Sequence, residues 1–151
     1  MKIDCDVRDI VRFRDVKIGQ CFREIDTRME AVMLKTTNVF RTDGLLLNAV
    51  YLSNGEFERF GGMEEVELLP NITLVNNQTM KTSSKLKTTI PFRDLKWGDC
   101  FRSKVRNNAI FIKIPFAEGG DYNAVILETG LLACFPLNEQ VEPLPNAKVV
   151  I

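Results

Sequence analysis

Histidine is missing altogether from this chain of 151 residues. That removes the one side chain whose ordinary pKa lies near neutrality, and with it the simplest general acid–base chemistry. Cysteine is scarce: Cys5, Cys21, Cys100 and Cys134 are far apart, with no C-x-x-C. Such spacing supports neither a zinc site nor a redox motif, so no metal and no cofactor is expected. No phosphate-cradling glycine loop and no nucleophile motif is present. Neither sign of charge is in excess: Lys plus Arg and Asp plus Glu both number 20. General binders of nucleic acid or membrane surfaces carry a basic excess. No apolar run approaches the roughly 18–20 residues of a membrane helix. The first residues, MKIDCDVRDIVRF, interleave charges with apolar side chains, unlike a signal peptide. These absences point to a cytoplasmic protein that is not an enzyme.

What the chain has is a repeat. FRDVKIGQCFR (13–23) returns as FRDLKWGDCFR (92–102). AVMLK (31–35) returns as AIFIK (109–113), NAVYLSNGEF (48–57) as NAVILETGLL (123–132), and VELLPN (66–71) as VEPLPN (141–146). The offset falls from 79 to 78 to 75, so the first copy carries longer loops. An internal duplication is expected, with an N-terminal extension at 1–11, a first unit at 12–75, a linker at 76–90 and a second unit at 91–151. The middle of the linker is rich in Asn, Ser, Thr and Lys, and its start matches Ala147–Val150, as a last strand would.

Within each unit the apolar runs are short and divided by turn residues. Asn54-Gly55 and Thr129-Gly130 each separate two such runs, a hairpin signal. No segment sustains a helical period over three turns. DVRDIVRF alone could be a short helix or a strand. Five short strands in about sixty residues suggest a closed barrel, since an open sheet of that size would leave edges exposed.

The order of an L-K-x-G-D loop, three strands, a tight turn, a strand and a final V-x-P-L strand resembles the SH3-like small barrels, including Tudor-type and KOW-type modules. F-x-D-L-K-x-G-D-x-F followed by N-A-x-x-L-x-T-G and V-E-P-L is similar to small bacteriophage proteins. The resemblance covers both units. It implies a mainly β chain of two tandem five-stranded SH3-like barrels, and, through the phage likeness, a protein of the host cytoplasm. Fold of this kind does not fix activity.

Gly19 and Gly98 precede the first strand of each unit, where a tight turn explains them. Asp15 and Asp94 are expected to accept backbone amides of that turn. Asn48 and Asn123 open the third strand as loop caps. Cys21 and Cys100 are read as buried thiols acting as small hydrophobes. Alternation along the strands assigns Val32, Leu34, Val50 and Leu52, with Ile110, Ile112, Val125 and Leu127, to the barrel interiors. The opposite face is apolar too. Met33, Lys35 and Tyr51, with Phe111, Lys113 and Ile126, are the candidate interface between the barrels or with another subunit, the lysine stems lying along it with their ammonium groups in water.

Charge is ordered as well. Residues 12–41 hold seven basic and four acidic side chains, and 42–71 hold one and six. Residues 91–114 hold six and two, and 115–151 hold one and five. If the early strands share one face, Arg14, Lys17, Arg23, Arg93, Lys96, Arg102, Lys104 and Arg106 make a basic side. Trp97, Tyr51, Phe111 and Phe116 are the aromatics that could stack on bases, although an apolar residue at both Ile18 and Trp97 points to packing. The loops between strands two and three differ most between copies. Val39, Phe40 and Arg41 in one, and Phe116, Glu118, Asp121 and Tyr122 in the other, are candidate contacts.

Three binding functions remain. A module that occludes or sequesters a host macromolecule, chiefly a protein, is favoured. A nucleic-acid binder using the basic sides of both barrels, with Arg102, Lys104, Arg106 and Trp97 among the candidate contacts, is the first alternative. A sequestering binder of a small nucleotide-like anion, held between barrels or subunits by arginines and aromatics, is the second. Matching basic and acidic sides would also allow a homo-oligomer.

Overall fold

A computed structural model describes residues 8–25, 31–41, 43–70, 73–76, 88–115, 122–145 and 147–150. Among them the chain is mainly β, with no α-helix. Strands β1 (Ile10–Arg12), β2 (Cys21–Glu24), β3 (Met33–Phe40), β4 (Leu46–Tyr51), β5 (Phe57–Glu58) and β6 (Glu65–Leu68) form an antiparallel sheet in the order β1-β6-β2-β3-β4-β5. Strand β7 (Thr73–Asn76) follows. Strands β8 (Ile90–Pro91), β9 (Cys100–Ser103), β10 (Ala109–Lys113), β11 (Ala124–Ile126), β12 (Leu132–Ala133) and β13 (Gln140–Pro143) form a second sheet in the order β8-β13-β9-β10-β11-β12. The two orders are the same, strand for strand. Both sheets are open and six-stranded, where closed five-stranded barrels were expected. The additional strand comes from a segment read as extension: Ile10–Arg12 pairs with Glu65–Glu67 of β6. Most of the expected linker, 77–87, lies outside the described residues.

β7 pairs with β14 (Ala147–Val150) in a separate two-stranded sheet. Its register places Leu74 opposite Val149. These two residues are 75 positions apart, the same offset as between VELLPN (66–71) and VEPLPN (141–146).

Each sheet has its own aromatic core. Phe13, Phe22 and Phe60 lie with ring centroids 5.1–5.3 Å apart, joined by Met33, Ala49 and Val66. Phe92, Phe101 and Phe135 repeat that triad at 5.0–5.4 Å, and Phe111 takes the place of Met33. A third cluster joins the units: Leu34 and Val50 from the first meet Ile112, Ile114 and Val125 from the second. Cys21, Leu52 and Phe57 pack against it from one side and Cys100, Leu127 and Leu132 from the other.

The two faces of β3–β4 and β10–β11 are therefore the reverse of the expectation. Met33, Tyr51, Phe111 and Ile126 belong to or pack against the within-unit cores. Leu34, Val50, Ile112 and Val125 form the seam. Both faces are apolar, so alternation alone could not rank them. The lysines misled. Lys113 Nζ donates to the carbonyls of Phe92 (3.0 Å), Arg93 (3.4 Å) and Leu95 (2.7 Å), and Lys35 Nζ donates to Phe13 O at 2.8 Å. Each ammonium thus caps the 3₁₀ turn at Phe13–Asp15 or Phe92–Asp94 from inside its unit. It also sits 4.4–4.5 Å from the Phe13 or Phe92 ring centroid, a favourable cation–π distance. Burial pushes both lysine pKa values down, opposed at Lys113 by Asp99 and Asp94 and at Lys35 by Asp15.

Candidate functional site

The repeated phrase folds as a 3₁₀ turn, a glycine corner and a strand. Gly19 N–H donates to Lys35 O, and Gly98 N–H to Lys113 O, both at 2.8 Å. The corner amides of Lys17 and Lys96 donate to Gln20 Oε1 and Asp99 Oδ2, each at 2.8 Å. Those residues do the work expected of Asp15 and Asp94, which are exposed and lie 3.9–4.0 Å from Arg14 and Arg93. The glycines also meet the other unit. A Cβ built on Gly19 would stand 2.8 Å from the Thr129 backbone, and one on Gly98 would stand 2.6 Å from Asn54 Cα. Each corner of one unit is seated on the hairpin turn of the other.

Asn48 and Asn123 are buried braces. Each side-chain amide donates to the carbonyl of Phe60 or Phe135 and accepts from the amide of the same residue, at 2.8–2.9 Å. The two bonds extend the sheet ladder past the end of β5 and β12.

The basic side expected from the charge order is interleaved with acids. Strand β2 lies between β3 and β6, so the early arginines fold against the late carboxylates. Arg23 donates to Glu67 through Nε (2.6 Å) and Nη2 (3.0 Å), holding that carboxyl below its ordinary pKa. Arg102 faces Glu142 in the matching register. Arg93 donates to Asn138 Oδ1 at 2.8 Å. Arg106 donates to Cys134 O at 2.6 Å, lies 3.6 Å from Glu139 and covers the Phe135 ring at 3.9 Å. Lys104 is exposed. The sequence carried a signal for these pairs: both Arg and Glu recur at the same places in both copies.

Of the aromatics, Trp97 is 62% exposed and its counterpart Ile18 47%, so neither packs as their shared apolar character suggested. Tyr51 is half-buried with its hydroxyl 3.5 Å from Glu58, and Phe111 is fully buried; neither is placed to stack on a base. Tyr122 is exposed. Phe116, Glu118 and Asp121 lie outside the described residues.

Among the described strands the two sheets differ most at β3 and β4. β3 runs eight residues against five for β10. Its pairing with β4 shifts register between Lys35 and Val39, then resumes at Val39↔Leu47 and Phe40↔Leu46. Beyond that irregularity the hairpin forms an arm. Val39 is buried, while Phe40 at the end of the strand is 65% exposed. Arg41 beside it is exposed, pairs with Asp43 at 3.0 Å, and accepts the Gly44 amide on its carbonyl.

A cleft of about 900 Å³ opens beside the seam. Gly19, Cys21, Leu34 and Leu52 wall it on one side, and the β9–β10 hairpin with the end of β11 walls it on the other. Asn107 and Asn108, both at φ 57°, turn that hairpin as a type I′ corner closed by Ala109 N–H on Arg106 O. Asparagine tolerates the left-handed region, so Asn-Asn between apolar runs was the readable signal for this turn. Arg106 reaches the cleft already anchored to Cys134 and Glu139, and Glu128 lies on the same wall.

Cys21 and Cys100 line the seam half-buried, and burial pushes each thiol up to about 11. Cys134 is exposed. Among the described residues no group of three His, Cys, Asp or Glu side chains is placed to hold a metal, and no helix is long and apolar enough to cross a membrane. Compared with protein-family models, curated proteins and solved structures, the chain gives no match.

Proposed function

We propose that this is a non-catalytic capture protein, built from a duplicated SH3-like unit, that holds a macromolecular partner on the β3–β4 arm of its first unit. The duplication is supported by the common strand order of the two sheets and by the repeated Lys–carbonyl, Asn–Phe and Gly-corner arrangements. The observation that carries the binding reading is Phe40. Its ring is largely in solvent, next to Arg41, at the end of a strand longer than its counterpart. Aromatic and arginine side chains dominate the energetics of protein interfaces. A non-enzymatic role fits a chain without histidine whose seam thiols stay protonated at neutral pH. The likeness to small bacteriophage proteins makes a host protein the expected partner.

The test is quantitative affinity capture from bacterial lysate with the wild-type chain and with Phe40→Ala and Arg41→Ala. A partner retained by the wild type and depleted at least tenfold by Phe40→Ala, at unchanged melting temperature, supports the assignment. Equal retention by all three chains refutes it. A captured species whose retention falls steeply with salt and is lost on nuclease treatment would transfer the reading to nucleic acid.

A further inference from the structure

The seam between the units is built almost entirely from equivalent positions. Leu34 matches Ile112, Val50 matches Val125, Cys21 matches Cys100, Leu52 matches Leu127 and Phe57 matches Leu132. Its backbone contacts repeat likewise: Gly19 against Thr129 and Gly130, and Gly98 against Asn54 and Gly55. An interface in which both sides present the same patch is isologous, and such a patch is complementary to itself. One matched position exchanges a polar residue in the first unit for an apolar one in the second. Ile114 is buried in the seam cluster, and the matching residue of the first unit is Thr36, whose hydroxyl bonds to Thr37 O.

We propose that the seam face of the second unit docks onto the same face of a second copy of this chain whenever its own first unit is displaced. It presents Cys100, Ile112, Ile114, Val125, Leu127 and Leu132, a continuous apolar set. Its corner glycine Gly98 and turn glycine Gly130 would take each other's places across the new twofold axis, as Gly19 and Gly130 do within one chain. The first unit, with Thr36 in the place of Ile114, is the weaker self-partner. This inference rests on the duplication proposed above. It is independent of the Phe40 arm, so a failure here leaves the capture reading standing.

The experiment uses the full chain. Leu34→Glu places a carboxylate in the seam from the first unit and frees the second. Light scattering and native mass spectrometry are expected to give a dimer at twice the 17.2 kDa chain mass. Ile112→Glu, which spoils the second face instead, is expected to stay monomeric, as is Leu34→Glu/Ile112→Glu. Gly55→Val opens the same seam from a turn outside the first unit's core. It serves as the parallel variant should Leu34→Glu not fold, and a dimer is expected again. Monomeric Leu34→Glu and Gly55→Val chains with a wild-type-like far-ultraviolet circular dichroism spectrum and a cooperative melt would overturn the proposal. So would a Leu34→Glu dimer that survives addition of Ile112→Glu, or an Ile112→Glu chain that dimerises as strongly as Leu34→Glu.

Discussion

Gly130 of the second unit lies against Gly19 of the first so closely that a Cβ on Gly130 would stand 2.6 Å from the Gly19 amide nitrogen. Gly55 and Gly98 repeat the relationship on the other side of the seam, at 3.0 Å. The glycines of the repeated phrase thus serve two needs at once, a left-handed corner and a backbone-to-backbone approach between units.

Those two needs are separable. Gly44 has φ +83° with nothing near its Cβ position, whereas Gly130 has φ +69° and the other unit's backbone in the way. Gly44→Ala is expected to cost about 1–2 kcal/mol, the left-handed penalty alone. Gly130→Ala is expected to cost that plus a further ~1–3 kcal/mol for forced displacement of packed atoms. Urea denaturation of the two variants checks the difference. Equal costs would mean that the seam is looser than described.

Lys113 offers a test of the interior ammonium. Lys113→Met keeps the stem and removes the donors to Phe92, Arg93 and Leu95 carbonyls. A loss of about 1–3 kcal/mol is expected, the cost of leaving buried acceptors unsatisfied. A neutral or stabilising effect would show that those carbonyls find water instead.

The seam thiols give a pH signature. Cys21 and Cys100 rise from an ordinary 9.0 to about 11 through burial. The folded state therefore keeps its thiol protons after the unfolded chain has begun to lose them. Their contribution is fully present below pH 9 and is lost as pH rises from 9 to 11. The expected slope is at most about 1.4 kcal/mol per pH unit for each thiol. Cys21→Ala/Cys100→Ala is expected to flatten that part of the stability profile. In a Cys5→Ser background at pH 8, Cys134 is expected to react rapidly with a thiol reagent and the seam pair slowly. An unchanged alkaline slope in the double variant would contradict the assignment.

The repeat made the order of elements legible: turns at Asn54-Gly55 and Thr129-Gly130 and last strands at 73–76 and 147–150 lie where it put them. Which strand face turns inward was not legible. Met33 and Leu34, or Phe111 and Ile112, are equally apolar neighbours, and their sides are decided by partners distant in sequence. Lys35 and Lys113 would have settled it only with knowledge that the 3₁₀ turns point carbonyls inward. The charge ordering misled for a topological reason, because β2 is sandwiched between β3 and β6 and brings Arg23 onto Glu67. The divergence of the 36–48 segment between the copies marked out Phe40, which lies 65% exposed at the end of β3 rather than in a loop. Arg106 was legible as a cation but not as a lid over Phe135.

The most direct measurement of the account is a double-mutant cycle across the seam, Leu34→Ala with Ile112→Ala, followed by denaturant unfolding. Each single change is expected to cost ~2–5 kcal/mol, as for any fully buried aliphatic side chain. A single cooperative transition is expected in the wild type, with a coupling energy of about 0.5–3 kcal/mol between the two sites, because they belong to one cluster contributed by both units. Additive losses within error would place Leu34 and Ile112 in separate cores, and the docked arrangement would be contradicted.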